Sequence, residues 1–122
     1  MKILIVDDST VIRGIIKRIL TAKGLSEDSF IEAPDGSRAL EITGQEQVDM
    51  FLVDRNMPGI DGIELITRLR GMEQHKKTPV VMITAEGAKY NVDEAFSAGV
   101  TDYIEKPIKP DELWSKVSGF LK

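Results

Sequence analysis

Residues 50–54 read Met50-Phe51-Leu52-Val53-Asp54, four apolar side chains in a row closed by a carboxylate. Nothing in this run alternates apolar with polar, and it is too short for a helix. It therefore predicts a strand covered on both faces. The same pattern recurs at Ile3-Leu4-Ile5-Val6, followed by Asp7-Asp8, and at Val80-Val81-Met82-Ile83, followed by Thr84. Strands buried on both faces belong to parallel sheets flanked by helices. Two weaker candidates, Ser29 to Ala33 and Thr101 to Glu105, bring the expected total to five.

Helical patterns fill the intervals. Ile12, Ile16, Ile19 and Leu20 recur at helical spacing after Asp8, and Gly24 is placed to stop that helix. Asp35 is expected to cap a helix running to about Thr43, and Asp61 one running from Gly62 to about Glu73. Ala88, Val92, Ala95 and Phe96 trace another apolar face. A last helix starts after Pro110, with Leu113, Val117 and Leu121 facing inward and Phe120 beside them. Five strands alternating with five helices imply right-handed crossovers and helices on both sheet faces. The expected fold is a doubly wound α/β sheet of order 2-1-3-4-5, flavodoxin-like, forming one domain over residues 1–122.

Composition narrows the function classes. The 122 residues are 42% apolar and 30% charged, as in an ordinary globular domain. A net charge of −4 argues against a dedicated nucleic-acid surface, which would carry a basic excess. With no cysteine in the chain, disulfides, thiolate metal sites and cysteine nucleophiles are excluded. Met1-Lys2 runs straight into the first apolar run, without signal-peptide architecture, and no apolar run approaches the ~20 residues of a membrane span. A cytoplasmic protein with no membrane partner is expected.

In a sheet of this order ligands bind at the switch point between the first and third strands, beyond their carboxyl ends. Asp7, Asp8 and Asp54 are delivered there from two distant parts of the chain. Crowded carboxylates repel one another and raise their own pKa values unless a cation sits among them. A hard divalent ion suits oxygen ligands; Mg²⁺, which binds through one or two carboxylates and keeps several waters, suits this set better than Ca²⁺. A single aspartate at a strand end more often caps the next helix, but three converging on one crevice favour a metal. The strand ending at Thr84 and the one leading to Lys106-Pro107 aim a hydroxyl and an ammonium at the same place. Both would serve a phosphoryl group on Asp54, Thr84 by donating a hydrogen bond and Lys106 by neutralising charge.

Asp7-Asp8, the stretch Asp54-Arg55-Asn56-Met57-Pro58-Gly59-Ile60-Asp61-Gly62, Thr84-Ala85 and Lys106-Pro107 together resemble the receiver domains of two-component response regulators. Ala33-Pro34-Asp35-Gly36-Ser37-Arg38-Ala39-Leu40 resembles the segment that follows their second strand, so the likeness spans nearly the whole chain. It implies that Asp54 is the phosphoacceptor, attacking the phosphohistidine of a sensor histidine kinase or a histidine phosphotransfer protein. It implies a Mg²⁺ site made by Asp7, Asp8 and Asp54 with the backbone carbonyl of Asn56, and a cis peptide bond between Lys106 and Pro107. Such a domain is a switch rather than an enzyme, catalysing only its own phosphorylation and dephosphorylation. Arg55 stands where an apolar residue is common, and it and Glu86 occupy positions suited to tuning the lifetime of the aspartyl phosphate. A Mg²⁺-dependent phosphohydrolase of the haloacid type is a remote alternative. Those enzymes carry a D-x-D pair, whereas Asp7 and Asp8 are adjacent.

The resemblance also implies a route out of the site. Thr84 and Tyr103 would form the switch pair, and the fourth helix, fifth strand and fifth helix the output face, with Tyr90 exposed on it. Trp114, beside the Leu113/Val117 stripe, fits either the core or a docking surface. On the first helix Val11 and Ile15, near Gly14, exceed what the core needs and are expected to dock the phosphodonor. His75, in the polar segment Gln74-His75-Lys76-Lys77, is expected to be solvated. The segment Thr84-Ala85-Glu86-Gly87, with Tyr103 to Pro107, is most similar to stand-alone CheY-like chemotaxis receivers. That favours a separate effector such as a flagellar motor switch protein; a phosphorelay intermediate or a receiver from a larger regulator are the alternatives.

Overall fold

The computed structural model describes residues 1–84 and 92–121. Five parallel strands, β1 (Ile3–Val6), β2 (Phe30–Ala33), β3 (Met50–Asp54), β4 (Val80–Thr84) and β5 (Asp102–Glu105), form one sheet of order β2-β1-β3-β4-β5. The helices between and after them are α1 (Thr10–Ala22), α2 (Gly36–Gln45), α3 (Gly62–Arg70), α4 (Val92–Ala98) and α5 (Pro110–Ser118). Order and alternation are those the apolar runs predict. Among the described residues no helix is long and apolar enough to cross a membrane.

The central strands are buried along their whole length, which is why they show no alternation. Their side chains still point alternately to two faces. Leu4, Val6, Phe51, Val53, Val80 and Met82 pack with α2 and α3 and with Ala95 of α4. Ile3, Ile5, Met50, Leu52, Val81 and Ile83 pack with Ile16 and Leu20 of α1 and with Leu113 and Val117 of α5. Val6 pairs with Val53 in register, so Asp7 and Asp54 leave the sheet side by side, on the face that α1 and α5 cover.

Side chains and backbone stop the helices where the sequence allows. Ser9 caps α1 by accepting the Ile12 N–H at 3.2 Å. Asp35 and Asp61 cap α2 and α3 as predicted, accepting from the amides of Arg38 (2.8 Å) and Glu64 (2.9 Å). At the far end of α1, Gly24 adopts φ +112° while its amide and that of Leu25 satisfy the carbonyls of Thr21 and Leu20. This is a Schellman turn, which a glycine makes without strain. The Lys106–Pro107 peptide is cis, as the resemblance implies.

Four expectations need correction. The third helix ends at Arg70, not near Glu73, because Met72 turns to extended backbone before a short 3₁₀ turn at Glu73–His75. That turn folds His75 under the sheet, where it is 3% exposed and not solvated. Its ring meets Phe51 edge to face at 5.0 Å and its Nδ1 lies 2.9 Å from Thr78 Oγ1, contacts a local polar pattern does not signal. Phe96 is 45% exposed, so the inward stripe of α4 reduces to Ala95 with a half-buried Val92, Ala88 lying outside the described residues. The last helix stops at Ser118, leaving Phe120 and Leu121 half-buried against the core beyond it.

Candidate functional site

The carboxyl ends of β1 and β3 bring Asp7, Asp8 and Asp54 together, each offering an oxygen within 4.8 Å of the others. Asp7 is 1% exposed and Asp54 2%, while Asp8 faces solvent. Asp7 Oδ1 accepts the Ser9 N–H at 2.8 Å, but its Oδ2 is buried without a hydrogen-bond partner among the described residues. Burial is the main cause that pushes the Asp7 carboxyl above the ordinary range, and neighbouring Asp54 adds to it. Burial also raises Asp54, against the opposing pull of the Lys106 ammonium. A buried acceptor without a donor costs free energy. Crowded acids, an orphaned oxygen and no sulfur donor fit a hard divalent cation, and Mg²⁺ in particular.

Lys106 reaches this cluster from the end of β5. Its Nζ donates to Asp54 Oδ1 at 3.3 Å, and its backbone N–H donates to the Thr84 carbonyl at 2.7 Å, continuing the pairing of β4 with β5. Thr84 is buried, and among the described residues its hydroxyl makes only a long contact, 3.5 Å, to the Ile104 carbonyl. The Asn56 amide approaches Asp54 Oδ1 at 3.5 Å. One end of the sheet thus gathers Asp7, Asp8, Asp54, Asn56, Thr84 and Lys106, drawn from four separate parts of the chain.

The other sequence-predicted positions lie further out. Tyr103 is half-buried, with Phe96 edge-on at 6.2 Å and the Lys116 ammonium 5.7 Å above its ring. Trp114 is half-buried against the core that α5 covers, which favours its packing role. Val11 is 71% exposed. Gly14 is half-exposed and a Cβ there would meet nothing within 4 Å. Ile15 joins Ile12, Lys106, Pro107 and Ile108 around a shallow, largely apolar groove beside the acidic cluster. Tyr90 and Glu86 lie outside the described residues.

Two arginines take partners that the sequence did not indicate. Arg13 donates to the Asp7 carbonyl oxygen and, at 3.0 Å, to Glu32 Oε1, so it braces the strand end that carries two of the acids. Lys17 bonds the other Glu32 oxygen at 2.8 Å, and this pairing holds the Glu32 carboxyl below its ordinary range. The sequence signal was the spacing of Arg13 and Lys17, which places both on one side of α1. Arg55, next to Asp54, pairs with Glu94 of α4.

Comparison with known proteins agrees with this geometry. Residues 3–118 match the family model described as response regulator receiver domain. The chain is 40% identical to a chemotaxis protein CheY homolog of Campylobacter jejuni, covering 99% of this chain and 92% of that protein. It is 41% identical to chemotaxis protein CheY of Pseudomonas aeruginosa, covering 96% and 93%. Among solved structures, chemotaxis response regulator CheY4 of Vibrio cholerae superposes with a TM-score of 0.88 at 32% identity, covering 98% of both chains. The receiver domain of NtrX from Brucella abortus gives 0.87 at 31% identity, again covering 98% of both. An acidic triad such as Asp7, Asp8 and Asp54 is typical of the Mg²⁺ site in these domains. With a family match over almost its entire length and the matching acids gathered at the switch point, the chain belongs to the response regulator receiver family, phosphoacceptor signalling domains that work with histidine kinases.

Proposed function

We propose that the chain is a cytoplasmic chemotaxis response regulator, which takes a phosphoryl group onto Asp54 and signals to a separate effector through the α4-β5-α5 face. The observation that carries the acceptor assignment is the buried Asp54 carboxylate, tied to Lys106 at 3.3 Å beside an Asp7 oxygen that has no donor among the described residues. Asp7, Asp8 and Asp54, with the Asn56 carbonyl, would hold Mg²⁺, which supplies neutralising charge for an incoming phosphoryl group.

The chain's own groups divide the remaining work. An Asp54 oxygen attacks phosphorus, the P–N bond to the donor histidine breaks, and its electron pair returns to the imidazole nitrogen. Lys106 accompanies the charge from the free carboxylate to the phosphoryl oxygens. The Thr84 hydroxyl, whose one contact among the described residues is long at 3.5 Å, turns toward one of those oxygens. Tyr103 follows into the space Thr84 leaves, and the exposed Phe96 beside it lets that movement reach the surface. Phosphorylation then acts as a new hydrogen bond biasing a two-state element. The helical donor docks on α1 at Val11, Gly14 and Ile15, where the apolar groove adjoins Lys106. Chemotaxis relatives matched over nearly their full length favour a flagellar motor switch protein as the effector.

Incubation with acetyl phosphate and Mg²⁺ tests the acceptor. The expected product carries about one acid-stable, base-labile phosphoryl group per chain. Continuous release of phosphate without accumulation would instead indicate a hydrolase. Ile15→Lys should slow transfer from a kinase while sparing labelling by acetyl phosphate; an equal loss of both removes the docking role. For the output, a pull-down with beryllofluoride-loaded protein is expected to enrich a motor switch protein over the apo form. Recovery of a histidine phosphotransfer protein would point to a phosphorelay.

A further inference from the structure

The charged residue after Asp54 has a definite partner. Arg55 continues the Phe51/Val53 row of β3, so its side chain leaves the sheet on the face covered by α2, α3 and α4. Its backbone is fixed on both sides: the N–H donates to the Ile83 carbonyl at 2.9 Å and the carbonyl accepts from Gly62 at 3.0 Å. A Cβ at Gly62 would stand 2.8 Å from the Arg55 Cα, which leaves this segment no room to shift toward α3. From that rigid base the guanidinium, on a side chain 16% exposed, donates through Nη2 to Glu94 Oε1 in the first turn of α4. Its Nη1 is buried with no hydrogen-bond partner among the described residues.

The other end of α4 is held differently. Gly99, at φ +115°, ends the helix, and its carbonyl accepts from Arg70 Nε at 2.9 Å. A Cβ there would lie 2.7 Å from Arg70 Cγ, so the helix end sits directly on the arginine stem. Arg70 in turn donates to the carbonyls of His75 (2.8 Å) and Thr78 (2.7 Å). Thus α4 is anchored at its carboxyl end by a multiply bonded arginine. At its amino end the Arg55 guanidinium has, among the described residues, Glu94 as its partner and Nη1 without one.

We propose that Arg55 and Glu94 form a latch, which holds the first turn of α4 against the acceptor strand and sets the resting balance of the switch. Arg55 is then a positioning residue that acts through Glu94, with Gly99 and Arg70 as the pivot. The ion pair itself rests on the geometry alone, while its regulatory meaning rests on the phosphoacceptor reading of Asp54. Any state that moves the first turn of α4 away from β3 must separate the pair, so a ligand that favours that state works against the latch.

The test is a double-mutant cycle on the unphosphorylated full chain: wild type, Arg55→Met, Glu94→Gln and the double variant, read by amide hydrogen exchange in residues 92–98. Methionine keeps most of the buried stem volume, and the cycle removes any effect of Glu94 on the helix dipole. Each single change should speed exchange about threefold to tenfold, and the double variant should be no faster than the faster single. Glu64→Gln, which breaks the Arg68–Glu64 pair on α3, should leave these amides unchanged. Multiplying single effects, or no effect of either, overturns the latch. The second readout is the affinity for beryllofluoride at saturating Mg²⁺, which reciprocity requires to rise in Arg55→Met by the factor the latch contributes. Unchanged affinity in a variant whose α4 has loosened also overturns it. A wild-type protein that never binds beryllofluoride removes the phosphoacceptor reading, while the exchange cycle still decides the ion pair.

Discussion

The two ends of the sheet hold buried polar groups in opposite conditions. At the amino ends of the strands, Arg70 donates to the carbonyls of Gly99, His75 and Thr78, and His75 is paired with Thr78. Val80 N–H donates to Thr101 Oγ1 at 3.0 Å, closing the network against β4. At the carboxyl ends, among the described residues, Asp7 keeps an oxygen without a donor and Thr84 has only a long contact, and burial raises both buried acids. Satisfied polar groups stabilise the fold at one end. The tension left at the other is what a cation and a phosphoryl group would relieve.

If that contrast holds, substitutions at the two ends should separate activity from stability. The largest effect belongs to Asp54→Asn, which should abolish phosphoryl incorporation from acetyl phosphate without lowering the melting temperature. Labelling that survives in this variant would place the acceptor elsewhere. Arg70→Ala should do the reverse. It leaves three carbonyls without their donor, at a cost of about 2–4 kcal/mol in urea unfolding, while per-molecule labelling of the folded protein stays near wild type. A loss under about 0.5 kcal/mol would mean that water replaces the guanidinium there.

Asp7→Asn sharpens the comparison from the acidic side. Removing one of the crowded charges should stabilise the apo protein, by about 1 kcal/mol as a typical effect of relieving one unfavourable buried contact. The same change should remove most of the stabilisation that Mg²⁺ gives the wild type, measured as the shift in melting temperature with and without the ion. A destabilised variant that still responds to Mg²⁺ would show that Asp7 serves the fold and not the ion.

The contrast also explains what the sequence revealed. Most of the acidic end was legible because Asp7, Asp54 and Thr84 close apolar runs and Lys106 precedes a proline, and parallel topology brings strand ends to one place; the Asn56 carbonyl came from the resemblance alone. Asp7, Asp54, Thr84 and Lys106 needed only strand order to be placed. The opposite end was illegible because its contacts join residues with no pattern in common. His75 lies among lysines and glutamine, and its burial depends on a 3₁₀ turn and on Arg70 arriving from α3. Arg13 and Arg55 were visible as charges, but their partners Glu32 and Glu94 lie 19 and 39 residues away. Long side chains find such partners through tertiary placement, which local periodicity does not encode. The stripe drawn through Phe96 failed for a related reason, since an amphipathic pattern locates a core face without saying where the core ends.

The smallest effect, and the one that tests both ends at once, is the response to acid. Burial and the neighbouring Arg70 lower the His75 pKa, so the folded protein keeps the imidazole neutral where the unfolded chain has begun to protonate it, near pH 6.5. The unfolded state then binds more protons, and this contribution to stability falls as pH drops from about 6.5 to the lower folded value, by no more than ~1.4 kcal/mol per unit for one proton. Asp7 and Asp54 act with the opposite sign. Their folded pKa values lie above the unfolded ones, so the native state takes the proton first and stability rises as pH falls through that raised range toward about 3.9. Urea titrations of wild type, His75→Gln and Asp7→Asn across this range separate the two. The difference curve against His75→Gln should slope below about pH 6.5 and be flat above it. The curve against Asp7→Asn should slope the other way, at lower pH, and flatten when Mg²⁺ is saturating. Difference curves of the same sign would mean that the two ends are not opposed, and that the acidic cluster is as well satisfied as the arginine network beneath it.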